Sequence, residues 1–171
     1  MTDILEQYIR DVQDFPKPGI VFKDITPLLA EPEIFRLALD ELLRLVPDRI
    51  DKVVGIESRG FIYGSLLAEH LHAGFVPIRK LGKLPYKTFS QTYDLEYGTD
   101  TLTMHIDAIG PGEKVLIHDD VLATGGTALA AAKLVEQAGG EVVMLNFLLE
   151  LSFLKGREKL KNYNVTSLIQ Y

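Results

Sequence analysis

Residues 115–127 contain the side chains with the clearest chemical potential in this sequence. An apolar run at 115–117 predicts a buried strand, and Asp119 and Asp120 follow it. A loop of small residues then leads into a helical segment at 128–138; the loop consists of Ala123, Thr124, Gly125, Gly126 and Thr127. Backbone N–H groups of such a loop, with the positive end of the helix, can bind a phosphate. Because the two carboxylates can accept hydrogen bonds from vicinal hydroxyls, we interpret the block as a ribose site beside a phosphate site.

Two other interpretations of this block are weaker. Threonine and glycine often cap helices, so each part taken alone also fits an ordinary connection between a strand and a helix. Residues 116–120 further resemble the acidic strand of ATP-binding proteins. That class requires a G-x-x-x-x-G-K-[ST] loop, which the 171 residues do not contain. The block as a whole therefore favours phosphate and ribose binding.

Strands and helices alternate along most of the chain. A helical stripe covers residues 4–12, the Pro- and Gly-containing segment 15–19 must interrupt it, and a second helix begins near Pro32. Short apolar runs then predict strands at 53–56, 75–78, 115–117 and 142–149, with helices at 61–72 and 128–138. Runs that are apolar throughout are typical of parallel strands covered on both faces. The sequence thus predicts an α/β fold with right-handed crossovers.

A different pattern, alternating apolar and polar residues, occupies the middle of the chain. The apolar positions are Tyr93, Leu95, Tyr97, Leu102, Met104 and Ile106, with a turn at 98–100 between the two sets. This alternation predicts a β-hairpin with one apolar and one solvated face. Residues 81–92 before it are polar and contain Gly and Pro, so we expect a long loop, of a length typical of functional lids.

Composition narrows the possible functions. The chain has no cysteine, which excludes disulfides, thiolate catalysis and cysteine-ligated metals. A net charge of −6 argues against nucleic-acid binding. The N-terminus does not resemble a signal peptide, and no apolar stretch approaches the ~20 residues of a membrane span. We therefore expect a single soluble, cytoplasmic domain covering residues 1–171, with no nucleic-acid or membrane partner.

The block at 115–127 resembles the signature of the type I phosphoribosyltransferase family, whose members bind 5-phosphoribosyl 1-pyrophosphate (PRPP). Four further segments, in the right order and spread over nearly the whole chain, are similar to adenine-specific members of that family: residues 15–25, 55–61, 95–98 and 154–160. The resemblance implies the type I fold, a central mostly parallel sheet flanked by helices. It also implies a small base-binding hood within residues 1–35 and a flexible loop and hairpin lid at 81–106.

Site residues follow from the resemblance, motif by motif. Those for the 5′-phosphate are Ala123, Thr124, Gly125, Gly126 and Thr127, and those for the ribose are Asp119 and Asp120. Those for pyrophosphate are Glu57, Ser58, Arg59, Arg79 and Lys83. In the family, the loop at 57–60 often holds a cis peptide after its first residue. Those for adenine are Val21, Phe22, Lys23 and Val121. Glu96 is the implied catalytic acid/base at adenine N9, while Lys80 and Lys87 are interpreted as solvated surface.

The implied reaction converts adenine and PRPP to AMP and pyrophosphate. Mg²⁺ is implied as cofactor, held mainly by substrate oxygens and water, so we predict no dedicated protein metal site. A homodimer is the family expectation. Two alternatives stay open: an enzyme using another base such as xanthine or guanine, and a PRPP-sensing transcription regulator on the same fold.

The sequence departs from the family pattern at a few positions. Lys23 replaces the usual arginine, and Tyr86 and Lys87 stand where small or acidic residues are frequent. His118 replaces an apolar residue, and we expect a hydrogen-bonded strand histidine there rather than a catalytic one.

Overall fold

A computed structural model describes residues 2–47, 49–94 and 98–171. The chain divides into two compact units, Met1–Arg44 and Leu45–Tyr171. Among the described residues, no helix has the length and apolar character that crossing a bilayer requires.

The first unit combines a two-stranded sheet with three helices. Its elements are α1 (Thr2–Glu6), β1 (Arg10–Gln13), β2 (Val21–Asp24), α2 (Thr26–Ala30) and α3 (Pro32–Arg44). The helix predicted over 4–12 is wrong beyond Glu6, because the chain becomes extended at Arg10 and β1 pairs antiparallel with β2. The start of the second helix at Pro32 is confirmed. The short helix α2 was not predicted.

The interruption predicted at 15–19 is confirmed as the turn between β1 and β2. The Phe15–Pro16 peptide is cis, and Asp14 and Gly19 have positive φ angles of 57° and 85°. The Gly19 N–H donates to Asp14 Oδ1 over 2.7 Å. This turn brings β2 back alongside β1, with Val12 opposite Phe22.

The second unit is an α/β structure around one seven-stranded sheet. Its elements are β3 (Lys52–Ile56), α4 (Gly60–His70), β4 (Gly74–Lys80), β5 (Thr88–Asp94), β6 (Thr99–His105), β7 (Lys114–Leu122), α5 (Gly126–Gln137), β8 (Glu141–Glu150), two 3₁₀ helices (Ser152–Leu154 and Gly156–Leu160) and β9 (Val165–Gln170). The strand order is β5-β6-β4-β3-β7-β8-β9. Strands β4, β3, β7, β8 and β9 are parallel, while β6 is antiparallel to both β4 and β5. The predicted mostly parallel sheet is confirmed.

The apolar runs form the core of this sheet. Val53, Val54, Leu116 and Ile117 are completely buried, as expected for parallel strands covered on both faces. The edge strand β9 was missed, because Thr166, Ser167 and Gln170 interrupt its apolar pattern.

The hairpin is confirmed, but its first strand is longer than predicted. β5 begins at Thr88, so residues 88–92 are strand and not loop. Phe89 lies between polar residues in this segment, and the nearby Gly and Pro residues obscured the two-residue period of a strand. Leu102 and Met104 are buried as predicted, whereas Ile106 lies past the end of β6 and is 38% exposed.

Candidate active site

A cleft of about 590 Å³ lies at the carboxyl ends of β3, β4 and β7, where ligands bind in open α/β sheets. It brings together three of the predicted groups: Glu57, Ser58 and Arg59 of the pyrophosphate loop, Asp119 and Asp120, and Thr127 of the phosphate loop. The remaining lining residues are Lys80, Tyr93, Asp100 and Leu102. The segments that we predicted separately therefore meet at one place.

The carboxylate pair lies inside β7 rather than after it, because the strand continues to Leu122. Asp120 is nearly buried and forms an ion pair with Arg59 Nε. The Asp120 N–H donates to Asp119 Oδ1 over 2.9 Å. Burial and the neighbouring negative charge of Asp120 raise the pKa of Asp119 well above its usual value. Asp119 is thus a carboxyl group that a hydroxyl donor or a cation would stabilise.

Gly60 allows α4 to begin directly against this pair. A Cβ at Gly60 would lie 2.9 Å from both Asp119 Oδ1 and the His118 carbonyl oxygen, so any larger residue would push helix and strand apart. Arg59, one residue earlier, is thereby held within reach of Asp120.

The phosphate loop encloses a small cavity of about 70 Å³, lined by Asp119, Val121, Leu122, Ala123, Thr124, Gly125, Thr127 and Ala128. Gly125 has a φ of 79°, in the left-handed region that favours glycine. A Cβ there would lie 2.5 Å from the Gly156 carbonyl oxygen, and a Cβ at Gly156 would collide with the Ala123 carbonyl oxygen. The 3₁₀ helix Gly156–Leu160 therefore packs directly behind the loop, which explains why the segment 154–160 accompanies the phosphate motif.

Glu57 organises the opposite side of the cleft. Arg79 donates from Nε and Nη2 to its two carboxylate oxygens, each over 3.3 Å, and the Lys80 N–H donates to it over 2.9 Å. Although burial opposes ionisation, these donors and the charge of Arg79 hold the pKa of Glu57 below its usual value. The Glu57–Ser58 peptide is cis, as the resemblance implied. Arg79 also donates from Nη1 to the carbonyl oxygen of Lys83 over 3.4 Å, and both Arg79 and Lys83 stand outside the residues that line the cleft.

Lys80 is exposed, as its interpretation as solvated surface expects, and it also borders the cleft. Lys80 lines the cleft, and its Nζ lies 3.1 Å from Asp100 Oδ2 in β6, an interaction that raises the pKa of Lys80. Its position at the end of β4, beside Arg79, was the signal that could have found it. Tyr93 and Asp100 were not predicted as site residues, because nothing local in the sequence shows that β5 and β6 border the cleft.

His118 is completely buried in β7 and only partly matches the expectation. Its Nδ1 lies 3.0 Å from Asn146 Oδ1, but its Nε2 has no hydrogen-bond partner among the described residues. Burial lowers the pKa of His118 to about 4, so the ring is neutral. Asn146 in turn donates to Thr166 Oγ1 over 3.2 Å, which links β7, β8 and β9 through polar side chains.

Other predicted residues lie elsewhere. Val21, Phe22 and Lys23 form β2 in the first unit, where the Lys23 Nζ lies 2.6 Å from Asp11 Oδ1 and the Phe22 ring packs edge-on against Phe15. Glu96 lies outside the described residues. In the part of the chain that the structure describes, no cluster of three or more His or carboxylate side chains could hold a metal ion.

Comparison with known proteins agrees with this geometry. The family model of the phosphoribosyl transferase domain matches residues 26–169. The chain therefore belongs to the phosphoribosyltransferase family.

Full-length similarity narrows the family to one branch. The chain is 61% identical to the adenine phosphoribosyltransferase of Christiangramia forsetii, over 98% of both chains. The crystal structure of adenine phosphoribosyltransferase from Rhodothermus marinus is similar with a TM-score of 0.95 and 60% identity, over 99% of this chain and 98% of that one. The enzyme from Giardia lamblia, complexed with 9-deazaadenine, has a TM-score of 0.92 and 42% identity over 99% and 97% of the two chains.

Proposed function

We propose that this protein transfers the 5-phosphoribosyl group from PRPP to N9 of adenine, releasing AMP and pyrophosphate, as a step of purine salvage. The observation that carries the proposal is the single cleft in which the pyrophosphate loop at Glu57, the carboxylate pair at Asp119 and the phosphate loop at Thr127 meet. PRPP has a phosphate, a ribose and a pyrophosphate in that spatial order. The full-length similarity to adenine phosphoribosyltransferases supports the choice of base.

The phosphate loop binds the 5′-phosphate in this proposal. Backbone N–H groups from Ala123 to Thr127 and the N-terminus of the twelve-residue helix α5 supply positive potential, and Thr124 and Thr127 add hydroxyl donors. Asp119 and Asp120 accept the ribose 2′- and 3′-hydroxyls. The diol is neutral, so binding it adds no negative charge next to Asp119, whose pKa burial and Asp120 already raise.

Pyrophosphate binds on the opposite side through Ser58 and Arg59, with Lys80 added by its position in the cleft. Arg79 and Lys83, which stand outside the cleft lining, complete the proposed set next to Glu57. Two of these cations are oriented by carboxylates: Arg79 by Glu57, and Arg59 by Asp120. A guanidinium held in this way is already oriented for bidentate binding of phosphate oxygens, which reduces the entropy lost on binding.

The transition state of this reaction resembles a ribosyl cation with a departing pyrophosphate. Catalysis then comes from holding adenine and the ribose C1 in line, from stabilising the leaving group, and from moving the proton at N9. Glu96 is the proposed acid/base, a role that typically contributes about 10²–10⁴-fold. Closure of the lid at 81–106 would exclude water from the reacting centre.

The residues proposed for adenine are Phe22 and Val121 for its ring faces and the main chain at Val21 and Lys23 for N6 and N1. The side chain of Lys23 forms an ion pair with Asp11 on β1, and the contact proposed for the base comes from its main chain. A carbonyl facing N6 accepts from an amine and repels an oxo group, which favours adenine over hypoxanthine and guanine.

The donor set fits a magnesium ion held mainly by the substrate. Mg²⁺ commonly binds through one or two carboxylates together with substrate phosphates and water. Asp119 and Asp120 line the cleft and would supply such carboxylates. The ion neutralises negative charge on the leaving pyrophosphate when it is bound.

We also propose a homodimer and a cytoplasmic location, which sedimentation and cell fractionation would test.

The test supplies the protein with PRPP, Mg²⁺ and one base at a time, and follows nucleotide formation. We expect AMP from adenine, little product from hypoxanthine, guanine or xanthine, loss of activity in the Asp119→Asn/Asp120→Asn variant, and slower turnover in Glu96→Ala. A preference for another base would overturn the choice of adenine. Tight PRPP binding with no product from any base, together with sequence-specific DNA binding in a gel shift, would indicate the regulator instead.

A further inference from the structure

The 3₁₀ helix Gly156–Leu160 supports the phosphate loop from behind. The Gly156 carbonyl oxygen lies 2.5 Å from the position that a Cβ on Gly125 would take, and a Cβ on Gly156 would collide with the Ala123 carbonyl oxygen. The two backbone segments are therefore in direct contact, and a shift of one displaces the other. The contacts that hold this helix in place also set the position of the loop.

Arg157, the residue after Gly156, ties the helix to the ends of two strands. Its Nε donates to Glu150 Oε1 over 2.8 Å and its Nη2 lies 2.8 Å from Glu150 Oε2, the bidentate geometry of an arginine–carboxylate pair. Its Nη1 donates to the Val165 carbonyl oxygen over 2.9 Å, and its Nη2 to Ser167 Oγ over 3.1 Å. One guanidinium thus joins the helix to the last residue of β8 and to strand β9.

Glu150 is a carboxylate that the fold buries, with 4% of the residue exposed. Besides Arg157, Ser167 Oγ donates to its Oε2 over 2.7 Å. Although burial opposes ionisation, these donors and the charge of Arg157 keep the pKa of Glu150 below its usual value. Taking charges out of water costs free energy, and an apolar pair of similar size typically gives a similar stability. Stability alone therefore does not explain why charged residues stand here.

Glu150 also lies next to the start of the phosphate loop. It pairs across the sheet with Leu122, the last residue of β7. The Leu151 N–H donates to the Leu122 carbonyl oxygen over 2.9 Å. Because Ala123 follows Leu122 directly, the loop and the helix behind it are both fixed to the same end of the β7–β8 strand pair.

We propose that Glu150 and Arg157 are positioning residues for PRPP: they hold the backbone at Gly156 against the phosphate loop, so that the loop is preformed for the 5′-phosphate. The inference rests on the proposed function. Neither side chain lines the cavity of about 70 Å³ inside the loop. A loop that already has its binding conformation loses less entropy when the ligand binds. A displacement of about 1 Å can cost on the order of 10²-fold.

The main test replaces both residues by methionine. The Glu150→Met/Arg157→Met variant removes both charges together and leaves no buried carboxylate unpaired, so we expect it to fold. It also removes the bonds from the helix to β9. The KM for PRPP should rise about five- to twentyfold, while kcat and the KM for adenine change less than about twofold. A role in stability alone would leave all three constants unchanged in the folded variant.

A second variant keeps the positive charge next to Glu150. In Arg157→Lys, the ammonium cannot reach both oxygens of Glu150, the Val165 carbonyl and Ser167 at once. We expect an intermediate rise in the KM for PRPP, about two- to fivefold. If circular dichroism shows that the double variant is unfolded, Arg157→Lys decides alone.

The matched control is an ion pair at the opposite end of the same sheet. Lys52, the first residue of β3, and Glu113, just before β7, form a partly buried pair with Nζ and Oε1 3.8 Å apart. Lys52→Met/Glu113→Met should leave the KM for PRPP unchanged. An equal rise in this control, or a wild-type KM for PRPP in the folded variants at 150 and 157, would overturn the proposal. So would a fall in kcat with an unchanged KM for PRPP.

Binding of substrate fragments separates this inference from the proposed reaction. Calorimetry with ribose 5-phosphate reports on the phosphate loop, and calorimetry with inorganic pyrophosphate and Mg²⁺ reports on the opposite side of the cleft. We expect the double methionine variant to bind ribose 5-phosphate about five- to twentyfold more weakly and pyrophosphate as tightly as the wild type does.

The two failures then differ. A wild type that makes no AMP would reject the reaction, whereas this selective loss of affinity for ribose 5-phosphate would still support the positioning role. Equal affinity for ribose 5-phosphate in the wild type and the variants would reject the positioning role and leave AMP formation intact.

Discussion

The two walls of the cleft are built on different principles. We call residues 119–127, the end of β7 with its phosphate loop, the β7 wall. We call Lys80, Tyr93 and Asp100, together with Arg79 next to Lys80 on β4, the hairpin wall. The β7 wall offers mainly backbone groups and two carboxylates, fixed by the contact between Gly125 and Gly156. The hairpin wall offers long side chains held by ion pairs, Arg79 to Glu57 and Lys80 to Asp100.

This difference predicts how each wall responds to mutation. Backbone groups form most of the β7 wall, so an added side-chain atom would change the shape of the binding surface directly. A wall made of long charged side chains loses affinity in smaller steps, since each ion pair is partly exposed and screened. The predictions below test this contrast, beginning with the substitution expected to have the largest effect.

Gly125→Ala should damage the β7 wall most. A left-handed alanine costs about 1–2 kcal/mol, and the contact with the Gly156 carbonyl oxygen adds overpacking of about 1–3 kcal/mol. We expect denaturant unfolding to show a loss of about 2–4 kcal/mol, with a raised KM for PRPP. Gly112→Ala is the matched control, because Gly112 has a φ of 76° and nothing within 4 Å of its Cβ position. Equal losses in the two variants would show that the contact with Gly156 does not matter.

Low pH should destabilise the folded protein through His118, which precedes the β7 wall in strand β7. The folded protein holds this ring neutral with a pKa of about 4, while the unfolded chain binds a proton near pH 6.5. Stability should therefore fall as the pH drops from 6.5 and level off below 4, by about 3 kcal/mol. His118→Leu should flatten the unfolding free energy between pH 7 and 4.5, whereas His70→Gln, at an exposed position, should not. An unchanged slope in His118→Leu would contradict this.

On the hairpin wall, Arg79→Lys should lower kcat/KM for PRPP about tenfold, because an ammonium cannot span both oxygens of Glu57 as the guanidinium does. Initial rates at low PRPP measure the change. Arg36→Lys, at an exposed position on α3, is the control. Arg79→Lys with wild-type kcat/KM would mean that the arginine only neutralises charge.

The smallest expected effect is the difference between substituting Lys80 and substituting Lys87. Lys80→Ala should lower kcat/KM for PRPP about two- to fivefold, in line with a partly exposed ion pair. Lys87→Ala, at an exposed position outside the cleft, should leave it unchanged. A loss in Lys87→Ala as large as that in Lys80→Ala would show that net charge, and not placement, governs binding.

The two walls also differ in how far the sequence predicts them. The β7 wall is a contiguous segment, so the order of strand, carboxylates, small loop and helix can be interpreted from residues 115–138 alone. The hairpin wall assembles from residues far apart in the chain. Lys80 and Asp100 meet because β6 pairs with the end of β4, and that pairing involves residues with no distinctive local pattern.

The fold shows the same limit. Parallel strands such as β3 and β7 are buried on both faces and appear as apolar runs, so they were predicted. The error at residues 10–12 has a different origin: β1 is held by its pairing with β2, and its half-buried Val12 also fits a helical stripe. Tertiary pairing decides between helix and strand where local periodicity permits both.

The contact between Gly125 and Gly156 has a consequence for synthesis on the ribosome. The phosphate loop is translated first, but the backbone that supports it follows only after α5, β8 and a 3₁₀ helix have been made. A nascent chain that ends before residue 156 contains every residue of the loop and lacks its support. The phosphate loop therefore gains its support late in translation, after β8 but before β9 has been made.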